Sequence, residues 1–409
     1  MVVCFWVGGL KGRLAALVVL GIAAACGGPG TSMHSPIPAS PSASPVPLEV
    51  QYAPYSASYR TSTGETWVVS LQGLLVNLRS GIARALAPEV EPRFSVGPSV
   101  GVTEPPAGEV IFQMDALGRA TQMTGHGTAI GDFVAPRVPL TEREVHFMSS
   151  GVTFGATLTE PAGGSHLPAV ALIHGSGLQP RPLFSLWANF YASLGFAVLN
   201  YDKRGTGESG GRYPGESPTP EAISTYAGDA VAAARFLRSL PEVDKARVGL
   251  YGGSQGGWIL PLALQRAPEL TFGIVASGPA VTADQTDIYQ DFSSDSSRVP
   301  AETDAEIDAQ VSKVTSGYDP AGALQALHVP TLWVYGEKDR QVPVRLSVQN
   351  LNRLRGKDLT IVVLPGGWHG LTQTPNGLES EEAASNGFGH LWVDIARWTR
   401  AHRLTTVNL

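Results

Sequence analysis

Arg247-Val248-Gly249-Leu250-Tyr251 runs directly into Gly252-Gly253-Ser254-Gln255-Gly256-Gly257, and apolar residues then continue at helical spacing from Trp258 to Leu264. A short strand that turns at once into a helix through G-x-S-x-G is the context of a nucleophile elbow. Such a turn places strained backbone angles on the serine, while glycines on either side let strand and helix approach without Cβ clashes. Ser254 Oγ is then expected to stand exposed above the sheet. The competing reading is a Gly-rich turn in which the serine only caps the helix. The surrounding chain decides between the two.

Around this turn, short apolar runs alternate with helical patterns. The predicted strands are Ala169 to Ile173, Ala197 to Tyr201, Arg247 to Tyr251, Phe272 to Val275, Thr331 to Tyr335 and Thr360 to Leu364, runs suited to burial on both faces. The predicted helices are Leu183 to Leu194, Pro220 to Ser239, Gln255 to Gln265, Val344 to Leu354 and Phe388 to His402. Before them, Glu144 to Met148 and Val152 to Thr159 flank a Ser-Ser-Gly turn and read as a β-hairpin. The pattern predicts an α/β domain over 141–409, a mainly parallel sheet with helices on both faces. Its rhythm breaks over about 281–327, a polar stretch rich in acids and serines that reads as a small helical cap. Residues 48–140 carry short β-type segments such as Thr66 to Leu71 and Glu109 to Met114, broken by Gly and Pro, and predict a small β-rich N-terminal domain.

The first 26 residues read as an export signal. Lys11 and Arg13 supply positive charge, Leu14 to Ala25 is apolar, and Ala23-Ala24-Ala25 precedes Cys26. An apolar run of about 12 residues is shorter than the roughly 20 a transmembrane helix needs. Met1 to Leu10 is also apolar, which fits an atypical leader or a start of translation further on. Ala-Ala-Ala-Cys followed by glycines resembles the lipobox of bacterial lipoproteins, with alanine where leucine is usual; the resemblance implies lipidation at Cys26 and a cell-envelope location, the alternative being a merely cleaved secretory signal and a secreted protein. Residues 27–47, rich in Pro, Ser, Ala and Gly, read as an extended tether.

Composition narrows the function. The chain has 409 residues, 43% hydrophobic and 16% charged, with a formal net charge of −6. That is a globular composition, and without a Lys/Arg run it does not favour nucleic acid or an anionic membrane surface. Both cysteines, Cys4 and Cys26, lie in the leader, so the folded body has no thiol nucleophile, disulfide or cysteine metal site.

A serine hydroxyl needs an adjacent base to become a nucleophile near neutral pH, and a histidine can supply it. His369 follows the last predicted strand in Leu364-Pro365-Gly366-Gly367-Trp368-His369-Gly370, where small residues let the loop carry an imidazole over the sheet edge. A carboxylate must fix the imidazole tautomer. Asp339 stands just beyond strand Thr331 to Tyr335, in the chain order serine, acid, histidine; Glu337 is its local competitor. Two oxyanion donors are expected: the amide of Gln255 at the start of the elbow helix and that of Ser176 in His174-Gly175-Ser176-Gly177. His174 and Gly175 are read as supports of that loop. Asp202 and Arg204 are expected to pair and brace the next one.

Gly205-Thr206-Gly207-Glu208-Ser209-Gly210 satisfies G-x-G-x-x-G, but Gly211, Pro214, Pro218 and Pro220 postpone the helix that a dinucleotide needs, so no cofactor is expected. No clustered ligand spacing predicts a metal.

Taken in order, the His174 loop, Asp202-Lys203-Arg204-Gly205-Thr206-Gly207-Glu208-Ser209, the Ser254 elbow, and the Asp339 and His369 loops resemble the α/β-hydrolase family over about Glu144 to His402. Within it the chain is similar to esterases and to prolyl-oligopeptidase-like hydrolases with an extra N-terminal domain. No propeller repeat is legible in that domain, so the resemblance implies carboxylester hydrolysis ahead of peptide cleavage. The expected partner is a small ester or short peptide, bound in a pocket lined by the cap and by side chains such as Trp258 and Trp368. A peptidase or amidase with the same triad, and a binding protein on an inactive hydrolase fold, are the alternatives.

Overall fold

The computed structural model describes residues 46–215, 217–293, 303–354, 357–375 and 385–409. Cys26, the leader and nearly all of the Pro/Ser-rich tether lie outside the described residues.

A five-residue helix, α1 (Leu48–Tyr52), leads into eight short strands: β1 (Ala57–Arg60), β2 (Thr66–Val69), β3 (Leu74–Asn77), β4 (Ala83–Pro88), β5 (Arg93–Val96), β6 (Gly108–Met114), β7 (Ala120–His126) and β8 (Phe133–Pro136). Each pairs antiparallel with the next. The meander curls back on itself: Tyr59 bridges Arg137, and the Val138 amide donates to Ser58 O at 2.8 Å. Eight strands enclose a space about wide enough for side chains to fill. Tyr52, Tyr55, Tyr59, Phe94 and Phe112 fill it with ring-on-ring contacts at centroid distances of 4.7–5.7 Å. Val68, Val76 and Ala83 instead join the core of the second domain.

The second sheet begins with a hairpin, β9 (Leu140–Ser149) and β10 (Val152–Pro161). Ser150 and Gly151 between them take φ of 48° and 76°. Positive φ at both turn residues is what a two-residue hairpin loop requires, because its twist then matches that of the strands. The remaining elements are β11 (Leu167–Ile173), α2 (Ser185–Ser193), β12 (Ala197–Tyr201), α3 (Pro220–Ser239), β13 (Val243–Gly253), α4 (Gly256–Arg266), β14 (Phe272–Ala276), α5 (Ala283–Ser293), α6 (Asp304–Val311), α7 (Ala321–Gln325), β15 (Thr331–Gly336), α8 (Val344–Asn352), β16 (Leu359–Leu364) and α9 (Leu391–Ala401). The sheet order is β16-β15-β14-β13-β11-β12-β10-β9, parallel except at β9 and β10. This is the α/β-hydrolase fold.

Every residue of β11, β12 and β14 is buried, which is why they read as unbroken apolar runs. One core lies on the α3 and α4 side of the sheet, the other on the α2 and α9 side. Helix α3 starts where sequence chemistry places it: Thr219 caps it by accepting from the Ala222 amide at 3.2 Å, and Pro220 occupies the first turn. Helices α5 to α7 fall between β14 and β15, in the polar stretch that interrupts the alternation.

Candidate active site

Strand β13 carries the chain to the C-terminal edge of the sheet, and the turn into α4 holds Ser254 at φ 49°. Its amide donates to Ala276 O at 2.9 Å, tying the strained residue to the neighbouring strand β14. The glycines fit the tight crossing. A Cβ on Gly257 would sit 2.6 Å from the Gly278–Pro279 backbone, and one on Gly252 would sit 3.1 Å from Gly256 Cα.

His369 reaches the same edge from the loop after β16. Its Nε2 lies 3.1 Å from Ser254 Oγ and its Nδ1 2.9 Å from Asp339 Oδ2. The Asp339 side chain is inaccessible to solvent and that of His369 only 9% exposed. The other Asp339 oxygen accepts from the Gln341 and Val342 amides at 2.7 and 2.9 Å. A carboxylate so held accepts Nδ1–H and leaves the Nε2 lone pair facing the serine hydroxyl. Glu337 points elsewhere, accepting from the Gly366 amide at 2.8 Å. Two contacts support the histidine and acid loops. Ser277 Oγ donates to His369 O at 2.7 Å, and Tyr289 on α5 donates to Asp339 O at 2.8 Å.

The loop after β11 lies against the elbow: a Cβ on Gly175 would come within 3.2 Å of Ser254 Cβ. The Gly175 amide is occupied, donating to Gln179 Oε1 at 3.1 Å. Ser176 lines the pocket beside Ser254, and among the described residues neither its amide nor that of Gln255 has a protein acceptor. His174 is enclosed between Phe184 and Tyr201, edge-on to both rings. Burial, reinforced by nearby Lys203, pushes its pKa down to about 3, so it is neutral.

Asp202 and Arg204 do not pair with each other. Asp202 is engaged by the Arg181 and Glu208 amides at 2.7 and 2.9 Å, and the Arg181 guanidinium stands 3.8 Å away. Arg204 extends to α3, where it forms a buried ion pair with Asp229, its Nε donating at 2.8 Å, and lies over the Phe154 ring. Both residues brace the loop, through different partners. Asp202 is satisfied by local amides, which leaves Arg204 to find its carboxylate on the helix.

A cavity of about 120 Å³ opens beside Ser254, walled by Phe184, Trp187, Tyr251, Ala276 and Leu371, with Gln179, Gln290 and Gln341 at its polar margin. Trp258 and Trp368 do not line it. Both are buried, their indole N–H groups donating to Val281 O and Thr372 Oγ1 at 2.8 Å each. Their polar handles hold backbone and turn, so their bulk serves packing. The wall residues Phe184 and Trp187 were not legible as pocket residues, because a buried aromatic on a helix reads as core. They ride on a segment gripped by the N-terminal strands: Gln72 Nε2 donates to Pro182 O at 2.8 Å, Ser185 Oγ accepts from the Leu71 amide at 3.0 Å, and Arg60 donates to Ser193 O at 2.9 Å. Among the described residues no group of three His, Cys, Asp or Glu side chains is placed to hold a metal ion.

The chain is similar to several known proteins. The acylamino-acid-releasing enzyme of Homo sapiens is 25% identical over 62% of this chain and 34% of its own length. The monoacylglycerol lipase of Mycolicibacterium smegmatis is 26% identical over 53% of this chain and 84% of its own. Among solved structures, an esterase of Pyrococcus furiosus superposes with a TM-score of 0.41 at 19% identity, covering 56% of this chain and 83% of that one. The chain spans only 29–38% of the length of several curated relatives it matches. Residues 182–389, half of the chain, match one family model, and this stretch holds the elbow serine, the acid and the histidine just described. The chain belongs to the prolyl oligopeptidase family.

Proposed function

We propose that this protein is a serine hydrolase that cleaves carboxylic esters through an acyl-enzyme on Ser254. The observation that carries the reading is the approach of His369 Nε2 to within 3.1 Å of Ser254 Oγ, with Asp339 fixed behind it. In the reaction Nε2 takes the hydroxyl proton as Oγ attacks the carbonyl carbon, and the Ser176 and Gln255 amides receive the oxyanion. His369 then returns the proton to the departing alkoxide, and an alcohol leaves. Water, deprotonated by the same imidazole, attacks the acyl carbon; the acyl–Oγ bond breaks, His369 returns the proton to Oγ, and the carboxylic acid leaves.

Specificity follows from the pocket. Its apolar walls and neutral amide margin favour an uncharged substrate, and a volume near 120 Å³ suits a short acyl group. The second reading, an amidase or peptidase with the same groups, is favoured by the family itself and by similarity to an acylamino-acid-releasing enzyme. Nitrophenyl esters of graded acyl length, assayed beside acyl-peptide nitroanilides with the wild type and Ser254→Ala, separate the two. Ester turnover abolished by the substitution supports the proposal, and turnover of peptides alone assigns a peptidase. We also propose that the chain is exported and anchored through lipid on Cys26; Cys26→Ser should move the protein from the membrane fraction to the soluble one.

A further inference from the structure

The loop that follows β12 buries a lysine against the Gly175 carbonyl and the Gln255 side chain, next to the two amides assigned to the oxyanion. Lys203 is 3% exposed. Its Nζ donates to Gly175 O at 2.6 Å and to Gln255 Oε1 at 3.0 Å, and lies 4.5 Å from the centroid of the Tyr226 ring and 5.5 Å from that of Tyr213. The backbone around it is tied to the same loop, since the Lys203 amide donates to Gln179 O at 3.2 Å while Gln179 Oε1 accepts from Gly175.

We infer that Lys203 is a positioning residue for the oxyanion site, acting on both of its donors at once. Gly175 C=O and Ser176 N–H are the two ends of one planar peptide, pointing in opposite directions. Holding the oxygen end fixes where the N–H end is aimed. An ammonium on that oxygen also polarises the amide and strengthens its N–H as a donor, as in any chain of hydrogen bonds in a low-dielectric interior. The second contact anchors the Gln255 side chain, and so the residue whose amide completes the pair. Positive charge buried behind the Gly175–Ser176 peptide further favours negative charge developing on the substrate oxygen. None of these effects requires Lys203 to touch the substrate, and each is larger for the tetrahedral oxyanion than for the ground-state carbonyl.

This inference rests on the hydrolase reading of Ser254, so the test keeps the two apart. Wild type and Ser254→Ala are first assayed on the best nitrophenyl ester; equal rates would remove the hydrolase reading itself. With that established, Lys203→Met, which keeps most of the apolar stem but ends one atom short and has no donor, is compared with the wild type at equal concentrations of fluorophosphonate-titrated sites. Removing one oxyanion donor outright costs about 100- to 1,000-fold in kcat, so weakening two should cost roughly 10- to 100-fold. KM should change less than threefold, and affinity for an alkyl boronate, which mimics the tetrahedral state, should fall by the same factor as kcat/KM. A purely structural lysine predicts a lower Tm with kcat and boronate affinity unchanged per titrated site, and that result overturns the inference. If the methionine variant cannot be recovered folded, Lys203→Gln, too short to reach Gly175 O, faces the same two outcomes.

Discussion

Replacing Asp339 by asparagine tests the hydrogen-bond logic of the site with almost no change of shape. In the native site Asp339 Oδ1 accepts from two amides, those of Gln341 and Val342, while Oδ2 faces His369 Nδ1 at 2.9 Å. An asparagine therefore has one acceptable orientation. Its oxygen must stay with the two amide donors, because an NH2 group there would confront two N–H groups, and its NH2 must face His369. The imidazole then accepts at Nδ1 and carries its proton on Nε2, facing Ser254 Oγ with a donor where a base is needed. Where a triad acid is changed this way, the wrong tautomer costs about ten-thousandfold in kcat, or roughly 5 kcal/mol of transition-state stabilisation at 1.36 kcal/mol per decade. KM for a nitrophenyl ester should stay within about threefold and Tm within a few degrees, because shape and backbone hydrogen bonds persist. The assay is steady-state ester hydrolysis alongside the rate of fluorophosphonate labelling, which should fall in parallel. A variant retaining a tenth or more of wild-type kcat refutes this account of the acid, and Glu337→Gln, whose carboxylate serves the Gly366 amide, should remain close to wild type.

Neutral His174 makes stability depend on pH. Its pKa is about 3 in the folded protein against 6.5 for the ordinary side chain, so its contribution is complete above about pH 6.5 and is lost as pH falls toward 3. At pH 5 the unfolded state gains about 2 kcal/mol by protonation. Urea unfolding at pH 7.5 and 5.0 should therefore show wild type losing about 2 kcal/mol more than His174→Leu, and equal losses would contradict the burial argument. Trp187 stands at the pocket wall, 4.5 Å from Tyr251 ring to ring. Trp187→Ala should raise the butanoate-to-acetate ratio of kcat/KM roughly tenfold or more, since at about 1–3 kcal/mol per methylene and 1.36 kcal/mol per decade one further buried methylene already supplies that factor; an unchanged ratio would show that this wall does not set acyl length.

Much of this molecule is legible in its residues, for reasons the structure makes physical. Strands β11, β12 and β14 are buried on both faces, so their apolar runs needed no pairing information to stand out. The structure brings Ser254, His369 and Asp339 together, and their positions were legible because each sits where a strand ends and small residues free the loop above the sheet edge. The N-terminal closure was not found. Its strands are mostly four to seven residues long, and the contact that closes it joins Tyr59 to Arg137, across a separation no local pattern reports. Lys203 was hidden differently. A lysine in a Gly-rich loop reads as surface, and only the fold brings Gly175, Gln255 and two tyrosine rings around it. The expected pairing of Asp202 with Arg204 went astray for the same reason, since Asp229 lies 25 residues further on.

Stoichiometric labelling shows whether Ser254 is the nucleophile. The full chain is incubated with a fluorophosphonate, digested, and the modified residue located by mass spectrometry, with loss of ester turnover followed in the same tube. One phosphonyl group per chain is expected, on Ser254, with activity falling in proportion and labelling abolished in His369→Ala. Full loss of activity with the label on another residue, or ester turnover that persists after Ser254 is fully modified, would contradict it.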